Sequence, residues 1–356
     1  MKVARLYGSQ DLRIDQLPIP RVPADGVLVR VQAAGVCGSD IHMYMGTDPW
    51  GALSTPPTTF GHETSGIVEM TGENVSTVKP GDRVVVEPMF ALPCGNCGQC
   101  RAGRTNLCPD RGHWHGRQVG AGGFAEYELV SSRAVVPVPS ELPLEVAAMA
   151  DVYACALHAL HTVVPADANQ KGAGLAIVGS GPIGMAIGQV ARHSGLAPVV
   201  MIGRRAAPLR MAQDAGAADS VVLLENGQVH AGDIRGLSGG AECVIECTND
   251  STGIAIEAAV GIAAPGARMG LLGAVHTIKI PYSAASGKEI TFVVPNSYCS
   301  AGGVRELETA LTTMAAMGTA PAQLLTHKFH LTDMREAIST VLDRSTTGAV
   351  KVLMLP

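Results

Sequence analysis

A six-residue segment with three glycines, between an apolar segment and a helical one, restricts the fold of this chain more than any other feature. The run reads Gly179-Ser-Gly181-Pro182-Ile183-Gly184 and follows the apolar residues Leu-Ala-Ile-Val directly. The first glycine permits a tight turn, the second lets the backbone approach a phosphate, and the third lets helix and strand pack closely. In this context the run predicts a βαβ unit that binds a dinucleotide pyrophosphate at the helix N-terminus.

The segments that follow alternate between apolar strands and alanine-rich helices. From Leu175 onward the apolar runs are LAIVGS, PVVMIG, SVVLL, CVIEC and ARMGLLG, and the first intervening helix is predicted over 183–193. Strands that are joined by helical crossovers form a parallel sheet. We therefore expect an α/β domain with a doubly wound parallel sheet over residues 154–290.

The first 150 residues have a different pattern, with short β-type runs separated by glycine and proline. This pattern predicts an antiparallel, barrel-like domain. The tail contains predicted helices at 304–317 and 334–342 and a closing strand at 350–353, and we expect it to return to the first domain. The chain of 356 residues is thus predicted to have two domains, 1–153 with 291–356, and 154–290.

Composition and charge favour small-molecule chemistry. The net charge of −5 with scattered signs leaves no basic face for a nucleic-acid backbone. The most apolar stretch, 175–200, is interrupted by glycines, prolines and an Arg-His pair, which does not suit a membrane span. The N-terminal residues lack the apolar core of a secretory signal, so we expect a cytoplasmic protein.

Four cysteines occur within fifteen residues of a glycine-rich lobe at 93–109, namely Cys94, Cys97, Cys100 and Cys108. In an intracellular chain such a cluster indicates metal binding more than disulfides. Four thiolates complete a tetrahedral zinc site and leave no position for a substrate, so this zinc would be structural. An iron–sulfur cluster and plain reduced cysteines are the alternatives.

A second group of ligand-type residues lies in turns and at the head of a helical run. Its members are Cys37, Ser39, His42, His62, Glu63 and Asp151. One cysteine, one histidine and one carboxylate leave a fourth position of a zinc ion open, as catalysis requires. A hydroxyl and an imidazole are suited to carrying a proton to solvent, which makes Ser39 and His42 relay candidates. Taken singly, each residue also has an ordinary structural explanation.

Together, the motifs VCGSDIH, FGHE, KPGDRV, the cysteine lobe, GGFAEY and GSGPIG resemble the zinc-containing medium-chain dehydrogenase/reductase family of alcohol, sorbitol and threonine dehydrogenases. The resemblance implies a GroES-like, β-barrel-type catalytic domain and a Rossmann cofactor domain. It implies that Cys37 and His62 bind a catalytic zinc, that Glu63 is a ligand or close to one, and that Asp151 binds directly or through water. Ser39 and His42 match the relay positions, and a homodimer or homotetramer is expected.

The cofactor and the substrate are less closely defined. An NAD enzyme usually has an acid at the end of the second strand, where this chain has Gly203, Arg204 and Arg205. Arginines can grip a 2′-phosphate, so NADP is favoured and NAD remains possible, since surface arginines are often simply solvated. Further residues at strand ends are expected to border the nicotinamide: Cys247, Thr248, Leu272, Gly273 and Ala274.

We expect reversible oxidation of an alcohol or polyol hydroxyl to an aldehyde or ketone. Sorbitol-type enzymes have an Arg-Tyr pair where this chain has residues 296–299, Asn-Ser-Tyr-Cys, which weakens a sorbitol assignment. Tyr44, Trp50 and Tyr298 are pocket candidates, although such aromatic residues more often serve in packing. The alternatives are an NAD-dependent polyol or threonine-type dehydrogenase, and a non-catalytic dinucleotide-binding protein with a structural or redox-sensing role.

Overall fold

The structure is a computed structural model that divides the chain into two compact units. It describes residues 1–47, 56–88, 91–115, 117–118, 122–168, 174–225, 229, 237, 239–273, 278–301 and 304–356. The first unit, here the barrel unit, consists of Met1–Asp151, Cys299–Ala316 and Leu325–Pro356. The second, here the sheet unit, consists of Val152–Tyr298 and Met317–Leu324.

The described strands, in chain order, are β1 Lys2–Gly8, β2 Asp11–Gln16, β3 Gly26–Gly35, β4 Thr58–Thr59, β5 Glu63–Thr71, β6 Arg83–Val86, β7 His113–Trp114, β8 Arg117–Gln118, β9 Tyr127–Ser131, β10 Val135–Pro137, β11 Leu175–Val178, β12 Val199–Gly203, β13 Ser220–Leu223, β14 Ala241–Glu246, β15 Ala263–Leu271, β16 Thr291–Val293, β17 Ser300–Ala301, β18 Val304–Arg305, β19 Leu325–His330 and β20 Lys351–Leu355.

The described α-helices are α1 Gly38–Met45, α2 Gly98–Arg101, α3 Leu144–Ala147, α4 Ala150–Val163, α5 Pro182–His193, α6 Ala206–Asp214, α7 Ile254–Ile262, α8 Tyr282–Gly287, α9 Glu306–Ala316, α10 Met334–Leu342 and α11 Arg344–Thr347. Among them, α5 agrees with the helix predicted over 183–193 to within one residue.

The long strand β3 organises the barrel unit. The sheet runs in the order β10-β6-β5-β3-β20-β19, and β9 also pairs with β3. Strands β5, β9 and β20 all run antiparallel to β3, so the C-terminal tail forms part of this unit. β3 is almost continuously buried because its side chains contribute to hydrophobic clusters of the core. This arrangement agrees with the antiparallel, barrel-like domain expected from the sequence.

Aromatic packing positions the segment that leads into β5. Phe60 and Phe124 meet edge to face with ring centroids 4.8 Å apart. Gly61 adopts a φ of +87°, and a Cβ at this position would lie 2.7 Å from the Phe124 ring. Glycine is therefore required both for the backbone conformation and for the close approach. The turn places His62 and Glu63 at the start of the strand.

The sheet unit contains a parallel sheet in the order β13-β12-β11-β14-β15-β16. Every pairing between neighbouring strands is parallel, so their carboxyl ends lie along one edge. Residues of β11, β12 and β14 are almost all buried, as expected for strands covered on both faces. The doubly wound parallel sheet predicted from the apolar runs is confirmed. β16 extends the unit beyond residue 290, where the sequence-based division was drawn.

Candidate active site

The four lobe cysteines bring their sulfur atoms together. The Sγ–Sγ distances are 3.5 Å for Cys97–Cys100, 3.9 Å for Cys97–Cys108 and 3.9 Å for Cys94–Cys100. Zinc–sulfur bonds of about 2.3 Å in a tetrahedral site separate the sulfurs by about 3.8 Å. The spacing fits a single zinc ion held by four thiolates.

Backbone N–H groups of the lobe point at its sulfur atoms. The N–H of Cys94 donates to Cys108 Sγ at 3.4 Å, and the N–H of Cys100 donates to Cys97 Sγ at 3.5 Å. The Cys100 N–H lowers the pKa of Cys97 to about 7, while burial raises the pKa of Cys100 to about 12. Because only the thiolate binds a metal, the N–H groups prepare part of the lobe for this role.

A second cluster consists of Cys37, His62 and Glu63, whose ligand atoms all lie within 4.8 Å of one another. Cys37 is the N-cap of α1, while Glu63 begins β5 and pairs with Gly35 of β3. Glu63 Oε1 is buried and has no hydrogen-bond partner among the described residues. A thiolate, an imidazole and a carboxylate with an unsatisfied oxygen suit a zinc ion.

Asp40 supports this cluster from a fully buried position. Its Oδ2 accepts the backbone N–H of Cys37 at 2.8 Å, and its Oδ1 lies 3.6 Å from His62 Nδ1. Burial lowers the pKa of His62, but the charges of Asp40 and Cys37 outweigh burial and raise that pKa well above its usual value. A carboxylate at one imidazole nitrogen orients the ring of a metal ligand.

Sequence reasoning did not single out Asp40, although it stands three residues after Cys37 in the motif that was recognised. An acidic residue at this position of a helix can accept the N-cap N–H, and this signal was available.

The other predicted members of the site lie on two helices. Ser39 is half-buried in the first turn of α1, and His42 Nδ1 lies 3.1 Å from Thr47 Oγ1. Asp151 lies in the first turn of α4 and does not belong to the group of ligand atoms within 4.8 Å. The relay roles of Ser39 and His42 and the ligand role of Asp151 therefore stay predictions.

Two of the three aromatic pocket candidates lie among the described residues. Tyr44 packs against the core of the barrel unit, and Tyr298 is buried at the end of the longer segment of the sheet unit. Trp50 lies outside the described residues.

The glycine run occupies the turn between β11 and α5. Gly179 has a φ of +128°, and a Cβ on Gly184 would lie 1.9 Å from the Gly179 carbonyl oxygen. Gly181 is the N-cap of α5, and a Cβ there would meet no atom within 4 Å. The first and third glycines are thus required by the fold, whereas the second leaves open space at the helix N-terminus. This space is where a pyrophosphate would bind.

Strand β12 ends at Gly203, and Arg204 and Arg205 follow it. Arg204 is exposed and Arg205 is half-buried. Burial raises the pKa of Asp250, but hydrogen bonds from Thr252 and Ala255, together with the charge of Arg204, give a net lowering. Arg204 thus has a carboxylate in its electrostatic neighbourhood.

The ends of β14 and β15 are tied by a buried carboxylate. Glu246 accepts the backbone N–H of Thr248 at 2.7 Å and also the Thr248 hydroxyl, and burial raises its pKa. A Cβ on Gly273 would lie 2.1 Å from the Thr248 carbonyl oxygen. Cys247 Sγ lies 3.4 Å from the Val178 carbonyl oxygen, so its side chain packs under the glycine turn.

Cys247, Thr248 and Gly273 therefore occupy one edge of the sheet, with Leu272 directly after β15. Ala274 lies outside the described residues. Glu246 was not singled out from the sequence, where it appears only as a polar residue in an otherwise apolar run.

Across the described part of the chain, no helix has the length and hydrophobicity needed to cross a membrane.

In comparisons with known proteins, one family model matches residues of the barrel unit and another matches mainly residues of the sheet unit. The family model described as "Alcohol dehydrogenase GroES-like domain" matches residues 23–140, and the model described as "Zinc-binding dehydrogenase" matches residues 182–316. A sorbitol dehydrogenase from Pongo abelii is 30% identical, with 94% of this chain and 91% of the relative covered.

Two solved structures cover the full length of this chain and 99% of their own. A putative zinc-binding dehydrogenase from Sinorhizobium meliloti 1021, bound to NADP, has a TM-score of 0.84 and 29% identity. A protein from Escherichia coli CFT073 called a short chain alcohol dehydrogenase, complexed with NADH, has a TM-score of 0.84 and 26% identity. The chain is thus an oxidoreductase of the alcohol dehydrogenase type, and it belongs to the zinc-containing medium-chain dehydrogenase/reductase family.

Proposed function

We propose that the protein reversibly oxidises an alcohol or polyol hydroxyl to an aldehyde or ketone and transfers the hydride to NADP. The observation that carries the proposal is the cluster of Cys37, His62 and Glu63 in the barrel unit. Bound there, a zinc ion would supply Lewis acidity at the hydroxyl oxygen, and the nicotinamide would accept the hydride.

The residues of this chain would bind, orient and move a proton. Cys37 and His62 hold the metal, and Asp40 keeps the His62 ring in place. Ser39 would receive the hydroxyl proton and pass it to His42, whose half-exposed ring can exchange it with solvent. Asp151 is proposed as a ligand, direct or through water.

The cofactor assignment rests on the end of β12. Gly203 offers no carboxylate to repel a 2′-phosphate, and Arg204 and Arg205 can form charge-assisted hydrogen bonds with it. The charge of Asp250 competes for Arg204, which favours an NAD-dependent polyol or threonine-type enzyme as the second candidate. The substrate is proposed as a primary or secondary alcohol or a polyol.

We also propose that the chain assembles as a homo-oligomer through the β16 edge of its parallel sheet. Among the described strands, β16 has a sheet neighbour on one side only. Val294 directly follows β16 and is 74% exposed, and Tyr282, which begins the helix before β16, is 80% exposed. An open strand edge flanked by exposed apolar side chains is a surface that proteins commonly cover.

Initial rates on a panel of alcohols, polyols and their carbonyl products test the function. Each substrate is paired with NADP and with NAD, before and after dialysis against a strong chelator. We expect activity that is lost with the metal, restored by zinc and higher with NADP.

Other outcomes of this experiment point elsewhere. Full activity in verified zinc-free protein would remove the catalytic-metal assignment, and a preference for NAD would support the second candidate. No alcohol-dependent reduction of either cofactor would support a non-catalytic dinucleotide-binding protein.

A further inference from the structure

A buried lysine pairs with Glu63 beside the metal cluster. Lys351 begins β20 and is 2% exposed, and its Nζ forms an ion pair with Glu63 Oε2. The same Nζ donates a hydrogen bond to the carbonyl oxygen of Val36 at 3.1 Å. A single ammonium group therefore links the carboxylate of Glu63 to the residue that precedes Cys37.

The backbone makes room for this pair. A Cβ on Gly35 would lie 2.0 Å from Glu63 Oε2 and 2.9 Å from Lys351 Cε. Gly35 pairs with Glu63 on one side and with Leu353 on the other, so β5, β3 and β20 enclose the two charges. Charges that are buried in this way require each other, because neither reaches water.

The position of Glu63 raises a problem for the proposed function. Its carboxylate lies within 4.8 Å of the ligand atoms of Cys37 and His62, and its Oε1 has no hydrogen-bond partner among the described residues. If Glu63 and Asp151 both bound the metal permanently, four protein ligands would close a tetrahedral site. A catalytic zinc must keep one position for the substrate.

We propose that Lys351 is a positioning residue that restrains Glu63 through Oε2 and thereby keeps the fourth metal position open. This inference rests on the proposed function of the cluster. The ammonium shares the negative charge of the carboxylate and so weakens the attraction of Glu63 for the metal. Without the ammonium group of Lys351, the buried carboxylate of Glu63 would bind the metal ion instead.

A neighbouring lysine offers a matched control. Lys328 on β19 forms an ion pair with Glu145, and these side chains are 47% and 40% exposed. Because water solvates that pair, its loss should change little. Lys328→Met therefore repeats the chemical change of Lys351→Met at a solvated site in the same sheet.

The test measures metal affinity and coordination, and not only activity. Zinc affinity is determined by competition with a chromogenic chelator for wild type, Lys351→Met, Lys351→Arg, Lys328→Met, Glu63→Gln and the double variant Lys351→Met/Glu63→Gln. The visible absorption of cobalt placed in the same site reports the ligand set. The lobe site serves as an internal reference.

We expect Lys351→Met to bind zinc about tenfold more tightly or more, because the released carboxylate of Glu63 becomes an additional ligand. Loss of an outer partner normally weakens metal binding by about 10-fold to 100-fold, so a gain is specific to this inference. The cobalt spectrum of Lys351→Met should change and its kcat fall as Glu63 takes the open position. Glu63→Gln should keep the wild-type cobalt spectrum. The double variant should lack the spectral change expected for Lys351→Met. Lys351→Arg and Lys328→Met should resemble the wild type in zinc affinity and in cobalt spectrum.

Equal or weaker zinc affinity in Lys351→Met would overturn the inference. A rise in affinity that persists in the double variant would also overturn it, because the lysine would then act on the metal by direct repulsion and not through Glu63. If Lys351→Met does not fold, the cobalt spectrum of Glu63→Gln decides, since a changed spectrum would make Glu63 a permanent ligand. Zinc-dependent turnover by the wild type is measured separately, so failure of the proposed function is distinguishable.

Discussion

At the scale of single residues, buried carboxylates have a measurable energetic role. Glu128 on β9 is 6% exposed, and its Oε1 accepts the N–H of Gly122 at 3.3 Å. Burial raises its pKa from 4.5 to about 7, although the Gly122 N–H and the charge of His62 act in the opposite direction. The folded chain therefore holds a proton here over a pH range in which the unfolded chain has lost it.

Replacing this carboxyl group should alter how stability depends on pH. Between pH 4.5 and 7 the folded state binds the extra proton, so wild-type stability falls as pH rises, by about 3 kcal/mol in all. Glu128→Gln should lack this loss and be the more stable protein at pH 8, with little difference near pH 4.5. The free energy of unfolding of both proteins is measured with urea at the two pH values. The prediction is contradicted if the difference in this free energy between wild type and Glu128→Gln is the same at both.

A second prediction at this scale concerns Arg204 and Arg205. Replacing both with alanine removes charge-assisted hydrogen bonds to a 2′-phosphate, which are worth about 1.5–3 kcal/mol each. Together these losses amount to about 3–6 kcal/mol, so we expect the ratio of kcat/KM for NADP to that for NAD to fall by about 10²-fold to 10⁴-fold. Arg210→Ala, at an exposed position of α6, is the control. An unchanged ratio would mean that both arginines are merely solvated.

At the scale of elements, the glycines of the β11–α5 turn should separate into two kinds. Gly184→Ala places a Cβ against the Gly179 carbonyl oxygen, so we expect a loss of about 1–3 kcal/mol of stability together with weaker cofactor binding. Gly181→Ala meets no atom within 4 Å, so it should keep its stability and lose affinity for the dinucleotide alone. Thermal unfolding measures the stability of the two variants, and titration followed by NADPH fluorescence measures their affinity for the dinucleotide. Equal destabilisation by both would contradict this assignment.

At the scale of the whole molecule, the proposed assembly depends on one sheet edge. Val294→Asp would place a charge beside β16, where burial against a second copy would be unfavourable. We expect the particle mass from light scattering to fall toward that of a monomer. Leu223→Asp at the opposite edge strand, β13, should not change it. The reverse result would assign the interface to β13.

The sequence by itself determined the two architectures, the cysteine lobe and the nucleotide turn. These features are local, because a strand, turn and helix or four cysteines within fifteen residues carry their own spacing. Glycine at position 184 is likewise dictated by a contact within one turn, since a Cβ there would meet the Gly179 carbonyl oxygen.

Only the tertiary structure decided which distant side chains share a site. Asp40 supports His62 across 22 residues, and Lys351 reaches Glu63 from the last strand. The helix-capping signal of Asp40 is local, but its contact with His62 is not, and Lys351 is not distinguished by its own neighbours in the chain. A buried charge pair such as Lys351 and Glu63 is recognisable only once the strands that enclose it have been paired. The register of β3, β5 and β20 sets those contacts, and register depends on long-range packing that no short segment of sequence specifies.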